Sequence, residues 1–224
     1  MKGLSLSEPM VKAWMQGRKD VTRRLMNPQP EILRNGIPYA NHVRVSPRYL
    51  PGETVYIKEA WRIGAWKEDG QCVAIDYRAD GFARKEWLLV PDEEMFDRFW
   101  IQSTDDAIKA GLKMDCDCQY HWEPGQSPCR WRSPRFMPEW AARSKALIVS
   151  VRPERVQEIT DEEISKEGID VTFHAGDIAT AFVDLPKKRR HSTARECFRS
   201  LWHTLHPGSW ERNDFVFRYE LRKV

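Results

Sequence analysis

The chain has 224 residues, of which 41% are hydrophobic and 31% are charged. This composition is typical of a globular protein and excludes an extended disordered chain, and the length suits one domain or one domain with a large insertion. The formal net charge is only +3, so any binding to nucleic acid must depend on local basic patches rather than on the charge of the whole chain.

The sequence contains no apolar run of the length that a membrane span requires, and its N-terminal segment lacks the apolar stretch of a signal peptide. We therefore expect a cytoplasmic protein that has no membrane partner. Ten tryptophans are many for this length. Their faces suit the stacking of bases, although tryptophans more commonly pack in a core.

The first half of the chain predicts one short helix and two strands. Ser7 is the expected N-cap of the helix, which ends at Gly17 before a basic turn. Residues 54–61 are rich in β-branched and aromatic residues and predict a strand, paired with a second strand at residues 72–78. Residues 81–134 are polar and rich in turn residues, which indicates an insertion.

Regular patterns return in the second half of the chain. A long strand is predicted at residues 145–156, and a capping box at Thr160 opens a helix that ends at Gly168. Residues 170–192 predict a loop, a second capping box at Thr193 opens another helix, and residues 215–221 alternate as a final strand. The predicted fold class is α+β, with a small β-barrel or curled sheet flanked by helices.

The turn after the first helix concentrates groups that can meet a phosphate. Its basic and hydroxyl side chains are Arg18, Lys19, Thr22, Arg23 and Arg24. Guanidinium groups bind phosphates in a bidentate manner, and a lysine withdrawn from water can act as a base or a nucleophile. The alternative is a solvated basic turn without a ligand. Asp20, next to Lys19, favours the ammonium form of that lysine.

Five cysteines are present, and three of them cluster in the predicted insertion. The candidate metal ligands are Cys116, Cys118, His121 and Cys129. A structural zinc ion bound by three thiolates and one imidazole would stabilise an insertion that lacks its own core, while free thiols are the alternative. We expect no cofactor to be required for catalysis, since such a zinc site leaves no coordination position open.

Residues 17–24 resemble the Gly-Arg-Lys-x-x-Thr-Arg-Arg signature of ASCH-domain proteins, which are relatives of the PUA fold. Further segments resemble family motifs in the same order: residues 51–57, 59–61, 131–143, 159–169 and 198–221. The resemblance covers nearly the whole chain except roughly residues 80–130. In its length the chain is similar to phage and prophage members of the family.

The resemblance implies a single ASCH-like domain over residues 1–224, with the insertion at about 81–134 and a PUA-like barrel. It also implies a basic cleft that binds RNA or a modified nucleoside. In one distant branch, the bacterial N4-acetylcytidine amidohydrolases, the catalytic set is a lysine, a threonine and a glutamate. By motif, these roles fall on Lys19, Thr22 and Glu167.

Other side chains are candidates for contacts in the same cleft. Trp61 and Trp140 can stack a base, and Glu59 can accept a hydrogen bond from the amino group of a cytosine. Packing at strand ends is the alternative for these residues. The basic run at residues 187–190 is expected to contact phosphates together with Arg18, Arg23 and Arg24.

Three functions remain open on this basis. The chain is a nucleic-acid-binding module, an enzyme that acts on RNA or a modified nucleoside, or a phage-associated interaction protein. The enzyme hypothesis includes an amidohydrolase and a ribonuclease.

Overall fold

The computed structural model describes residues 1–67, 70–80, 83–174, 178–182 and 193–224, and of residues 83–86, 170–174 and 178–182 it describes the backbone. The strands are β1 (Lys2–Ser5), β2 (Val21–Leu25), β3 (Ile32–Arg34), β4 (Ile37–Ala40), β5 (Val43–Arg44), β6 (Thr54–Lys58), β7 (Trp61–Lys67), β8 (Cys72–Tyr77), β9 (Ala83–Leu89), β10 (Lys145–Arg155), β11 (Asp170–His174), β12 (Ile178–Phe182) and β13 (Phe215–Lys223). The α-helices are α1 (Glu8–Met15), α2 (Glu93–Lys109), α3 (Asp161–Lys166) and α4 (Ala194–Leu205), and short 3-10 helices cover Pro134–Phe136, Glu139–Ala141 and Val156–Glu158. None of the helices in these ranges has the length and apolar character that crossing a membrane requires.

The mixture of helices with several sheets confirms the predicted α+β class. Within the described part of the chain no sheet closes on itself, so the expected barrel is not formed there. The residues group into two compact units. Unit 1 comprises Met1, Gly3–Glu8 and Tyr56–Ser144, and unit 2 comprises Lys2, Pro9–Val55 and Lys145–Val224. The predicted insertion lies within unit 1.

Unit 1 is built on the antiparallel sheet β7-β8-β9. Alternate residues of these strands face a core that includes Trp61, Ile63 and Ile75, and Phe96 of α2 packs into the same core. The prediction that residues 54–61 form one strand paired with residues 72–78 was wrong. The strand β6 ends at Lys58, and Trp61 begins the strand β7 that pairs with β8.

The predicted turn-rich insertion also contains regular structure, namely β9 and the 17-residue helix α2. Asp92 caps α2 by accepting a hydrogen bond from the amide of Met95 at 2.7 Å. The buried residues Phe96, Ser103 and Ala107 recur at helical spacing. The sequence interpretation missed this stripe because charged and polar residues on the other faces dominate the segment.

Unit 2 contains the antiparallel strands β10, β13 and β2 as neighbours, in that order. Both predicted capping boxes open helices as expected, since Thr160 accepts from the amide of Glu163 and Thr193 from that of Glu196. Of the apolar residues Phe198, Leu201, Trp202 and Leu205 of α4, the first three are buried and Leu205 is exposed. The strands predicted at residues 145–156 and 215–221 are confirmed as β10 and β13.

Two predicted irregular segments are strands instead. Residues 170–192 were expected to form a loop, but β11 and β12 pair in antiparallel fashion within them. Residues 21–25, expected to belong to a basic turn, form β2, which pairs with β13 along its length. The basic run Lys187–Arg190 lies outside the described residues.

Candidate functional site

The basic segment is fixed by backbone contacts within unit 2. Gly17 ends α1 in the left-handed region at φ +74°. Beyond it, the amide of Asp20 donates to the carbonyl of Lys166 at 3.0 Å, and the amide of Leu221 donates to the carbonyl of Asp20 at 2.7 Å. The segment is therefore bound through its backbone to the end of α3 and to β13, which argues against the alternative of a solvated basic turn.

Gly168 allows Lys19 and Glu167 to approach each other. These two residues form an isolated antiparallel β-bridge, and Gly168 follows directly at φ +89°. A Cβ atom at Gly168 would lie 2.6 Å from the Cβ of Ala13 and 3.2 Å from the Cβ of Lys19. Both the backbone conformation and the lack of space therefore require glycine at this position.

Lys19 is a buried cation whose hydrogen bonds are all made. Its Nζ donates to Oε2 of Glu167 at 2.7 Å, to the carbonyl of Glu167 at 2.9 Å and to the carbonyl of Val21 at 2.7 Å. An ammonium group has three N–H donors, so these acceptors use all of them. Burial lowers the pKa of Lys19, and this effect outweighs the opposing effect of Glu167. Asp20 is exposed, so the carboxylate that holds Lys19 is that of Glu167.

Arg23 is enclosed by carboxylates and is not placed to bind a phosphate. Its side chain is 0% exposed. Its Nε donates to Glu154 at 2.7 Å, its Nη1 to Oε1 of Glu167 at 3.1 Å, and its Nη2 to Glu163. Burial lowers the pKa of Arg23, but the three glutamates more than compensate, so its pKa is raised. The guanidinium of Arg23 is therefore occupied inside the protein, and its contact with nucleic acid stays a prediction.

Three arginines form a row across neighbouring strands. Arg152 of β10 lies opposite Arg218 of β13, which lies opposite Arg23 of β2. Like charges placed opposite each other in a sheet repel. Glu163 of α3 relieves this repulsion, since it accepts from all three arginines, and Glu154 accepts from both Arg23 and Arg152. Burial raises the pKa of Glu163, but the attraction of Arg23 and Arg218 lowers this pKa by a larger amount. The pKa of Glu163 is therefore below its ordinary value.

Thr22 lies on the other face of β2. It is buried and stands opposite Tyr219, while Arg24 stands opposite Phe217. Successive residues of a strand point to opposite faces, so Thr22 and Arg24 share the face that Arg23 does not occupy. The structure thus brings together two of the three predicted catalytic residues, Lys19 and Glu167, which are 148 positions apart in the sequence.

Arg18 is the exposed basic residue of the segment, since Lys19 and Arg23 are buried and Arg24 is partly buried. Its Nη1 donates to the carbonyl of Gly168 at 3.2 Å, and its Nε and Nη2 both donate to the side chain of Gln16. These contacts place a positive charge at the surface beside the Lys19–Glu167 bridge. Arg18 therefore fits the predicted phosphate-binding role better than Arg23 does.

The candidate cleft residues Glu59, Trp61 and Trp140 lie in unit 1 and differ in how far they are buried in its packing. Trp61 is fully buried in the apolar core. Glu59 is buried and binds Arg143 through both carboxylate oxygens, at 2.7 and 2.8 Å. Trp140 is partly buried, and its Nε1 contacts the sulfur of Met95 at 3.4 Å. The carboxylate of Glu59 and the ring of Trp61 are therefore already engaged inside unit 1.

The predicted zinc ligands do not converge in the described residues. Cys116 and Cys118 are exposed, Cys129 is buried in the core of unit 1, and Nε2 of His121 lies 2.5 Å from the carboxylate of Asp115. Across residues 1–67, 70–80, 83–174, 178–182 and 193–224, no three or more His, Cys, Asp or Glu side chains form a group that could hold a metal ion. The structural zinc stays a prediction.

The sequence interpretation missed four charged residues around Arg23: Arg152, Glu154, Glu163 and Arg218. The spacing of residues in the sequence indicated two pairs that share a face. Arg152 and Glu154 alternate on one face of β10, and Glu163 and Glu167 lie four residues apart, which places them on one side of α3 and its C-terminal turn. Their common target, Arg23, could not be read from either segment alone.

Comparisons with models of protein families, with curated proteins and with solved structures give no significant match to this chain. The resemblance to ASCH-domain proteins therefore rests on the motifs in the sequence.

Proposed function

We propose that this chain is an ASCH-like, PUA-related protein that binds a modified cytosine nucleoside, free or within RNA, and hydrolyses its N4-acyl amide. One observation carries the proposal. The ammonium of Lys19 and the carboxylate of Glu167, assigned to catalysis by resemblance alone, lie 2.7 Å apart in a buried environment. A buried lysine of this kind, whose pKa is lowered by burial while it contacts a specific carboxylate, is characteristic of functional sites.

The chemistry follows from the two residue types. Hydrolysis forms a bond between an attacking oxygen and the amide carbonyl carbon and breaks the bond from that carbon to N4. Lys19, as the free amine, accepts the proton of the attacking group, which is the hydroxyl of Thr22 or a water molecule that Thr22 orients. Glu167 accepts this proton from Lys19 and returns it to N4 as the amine leaves. When water attacks, the products are a carboxylic acid and a free cytosine amino group. When the hydroxyl of Thr22 attacks, the acyl group is first transferred to its oxygen as the amine leaves, and a water molecule then breaks this ester, which releases the carboxylic acid and restores the hydroxyl.

The lowered pKa of Lys19 supports its role as the base. When its ammonium loses a proton, two N–H donors remain for the three acceptors that now surround it. The nitrogen then carries a lone pair that can accept a proton. Burial favours this neutral form, and Glu167 opposes it.

The proposal is tested by incubating the full chain with N4-acetylcytidine and measuring the release of cytidine by chromatography. We expect turnover by the wild-type chain and a loss of about 100-fold or more in Lys19→Met and Glu167→Gln. Lys166→Met is the matched control, because this neighbouring lysine forms an exposed ion pair with Glu162. Absence of cytidine release by the wild-type chain, or full activity of Lys19→Met, rejects the proposal.

The two possible roles of Thr22 are separated by Thr22→Ser and Thr22→Val. A hydroxyl that attacks or orients water is retained in serine and lost in valine, which has nearly the same shape as threonine. We therefore expect activity in Thr22→Ser and its loss in Thr22→Val. Trapping of an acylated protein with slow substrates is expected when the hydroxyl itself attacks.

A second candidate function is binding without catalysis. It is favoured by the complete hydrogen bonding of Lys19, whose side chain is only 1% exposed. Arg18 at the surface then contacts the phosphates of an RNA. Binding that weakens steeply with added salt, without any product formed, is the result expected for this function.

A further inference from the structure

We infer that Arg23 is a positioning residue for Glu167. It holds one carboxylate oxygen of Glu167 so that the other oxygen remains on Lys19. The consequence of this arrangement for catalysis rests on the proposed function, whereas the contact itself can be tested without it.

The two oxygens of Glu167 are divided between two cations. Its Oε1 accepts from Nη1 of Arg23 at 3.1 Å, and its Oε2 accepts from Nζ of Lys19 at 2.7 Å. Rotation of the carboxylate breaks both contacts at once. Glu167 is 6% exposed, so water does not readily replace either partner.

Arg23 is itself fixed at its two other nitrogens. Nε is bound by Glu154, and Nη2 is bound by Glu163. These carboxylates also bind Arg152 and Arg218, which lie on β10 and β13. A continuous set of charge-assisted hydrogen bonds therefore runs from three strands of the sheet to one oxygen of Glu167.

An alternative role for Arg23 is simple charge neutralisation of the three glutamates. The two roles differ in what Arg23→Lys does. A lysine keeps the positive charge, but its single nitrogen cannot contact three carboxylates placed around a planar guanidinium. Neutralisation predicts that Arg23→Lys behaves like the wild-type chain, and positioning predicts that it does not.

The test uses the nitrogen-15 NMR signal of the Lys19 ammonium group, identified by its absence in Lys19→Met. We expect Arg23→Lys and Glu167→Gln to change this signal in the same way, and the double variant to change it no more than Glu167→Gln alone. Arg152→Lys is the matched control, because Arg152 shares Glu154 and Glu163 with Arg23 and makes no contact with Glu167. In the hydrolysis assay, Arg23→Lys is expected to lower kcat by about 10- to 100-fold with little change in KM.

The inference is overturned when Arg23→Lys leaves the Lys19 signal unchanged, or when Arg152→Lys changes it equally. If Arg23→Lys fails to fold, the inference is tested instead by comparing the NMR signals of the Arg23 guanidinium between the wild-type chain and Glu167→Gln. A change at Nη1 supports the contact, and unchanged signals reject it. Absence of hydrolysis by the wild-type chain rejects the proposed function alone, because the NMR signals still report on Arg23 and Glu167.

Discussion

Each unit contains a buried arginine held by carboxylates, and the two clusters differ in the chemistry they permit. In unit 1, Arg143 binds both oxygens of Glu59 and donates to Asp80 at 2.5 Å, and its guanidinium lies 4.2 Å from the centre of the Tyr77 ring. Burial lowers the pKa of Arg143, but these partners raise it well above its ordinary value. An arginine in this position does not release a proton, so it does not act as an acid or a base, and it holds Glu59 and Asp80 in place.

In unit 2, the cluster around Arg23 extends to a buried lysine. Lysine, unlike arginine, releases its proton readily when it is withdrawn from water. The pKa of Lys19 is lowered by burial, although Glu167 is in direct contact with it. The comparison shows that ion pairing alone does not mark a functional site. The useful distinction is whether one partner can change its protonation state.

The largest expected effect is the loss of stability in Arg143→Met. This change leaves Glu59 buried without its cation, which costs about 3–5 kcal/mol of the free energy of unfolding. Urea denaturation measures the effect. The control is Arg130→Met, because Arg130 forms an ion pair with Asp106 but is 54% exposed, and such pairs contribute about 0–1 kcal/mol. Equal losses in the two variants contradict a structural role for the Arg143 cluster.

A smaller effect is expected when the approach of Lys19 to Glu167 is disturbed through the backbone. Gly168→Ala and Gly17→Ala both place a side chain at positive φ, which costs about 1–2 kcal/mol. Around Gly17 there is no atom within 4 Å of the added Cβ, whereas at Gly168 that atom meets Ala13 and Lys19. Gly168→Ala should therefore lose about 1–3 kcal/mol more than Gly17→Ala in thermal or urea unfolding.

The same pair of variants reports on the site. Gly168→Ala is expected to change the NMR signal of Lys19, since the added atom pushes against the Lys19 side chain. Gly17→Ala is expected to leave that signal in place. Equal stability of the two variants contradicts the close contact at Gly168.

Local signals predicted the elements that have local causes. The helices opened by Thr160 and Thr193 and the strands β10 and β13 follow from capping boxes and from alternation, and all of them are confirmed. The strand β2 was missed because its Arg23-Arg24 pair made the segment look solvated. The charge of Arg23 is buried only because carboxylates from distant segments neutralise it, which no window of sequence reveals.

In the site, too, features with local causes could be predicted from the sequence, whereas contacts between distant segments could not. Lys19 and Glu167 were paired by resemblance to a family and not by spacing. The fold brings them together through the isolated β-bridge that they form, directly before Gly168. The role of Arg23 could not be predicted, because its chemistry as a basic residue suits phosphate binding equally well. Its enclosure depends on Glu154 and Glu163, which only the register of the sheet and the position of α3 place around it.

The smallest expected effect is a difference between the two clusters in how the free energy of unfolding depends on pH. Because burial lowers the pKa of Lys19 in the folded state, there is a pH range in which the unfolded chain holds this proton and the folded chain has released it. In that range, below the ordinary lysine pKa, stability rises with pH. The free energy of unfolding of the wild-type chain should therefore increase relative to Lys19→Met between neutral pH and pH ~10, by about 1.4 kcal/mol for each unit by which the pKa is lowered. Urea denaturation at several pH values measures this difference.

The difference in the free energy of unfolding between the wild-type chain and Arg143→Met should stay constant over the same range, because arginine remains protonated in both states. Parallel stability curves for the wild-type chain and Lys19→Met contradict a titratable Lys19, and they remove the chemical distinction between the two clusters.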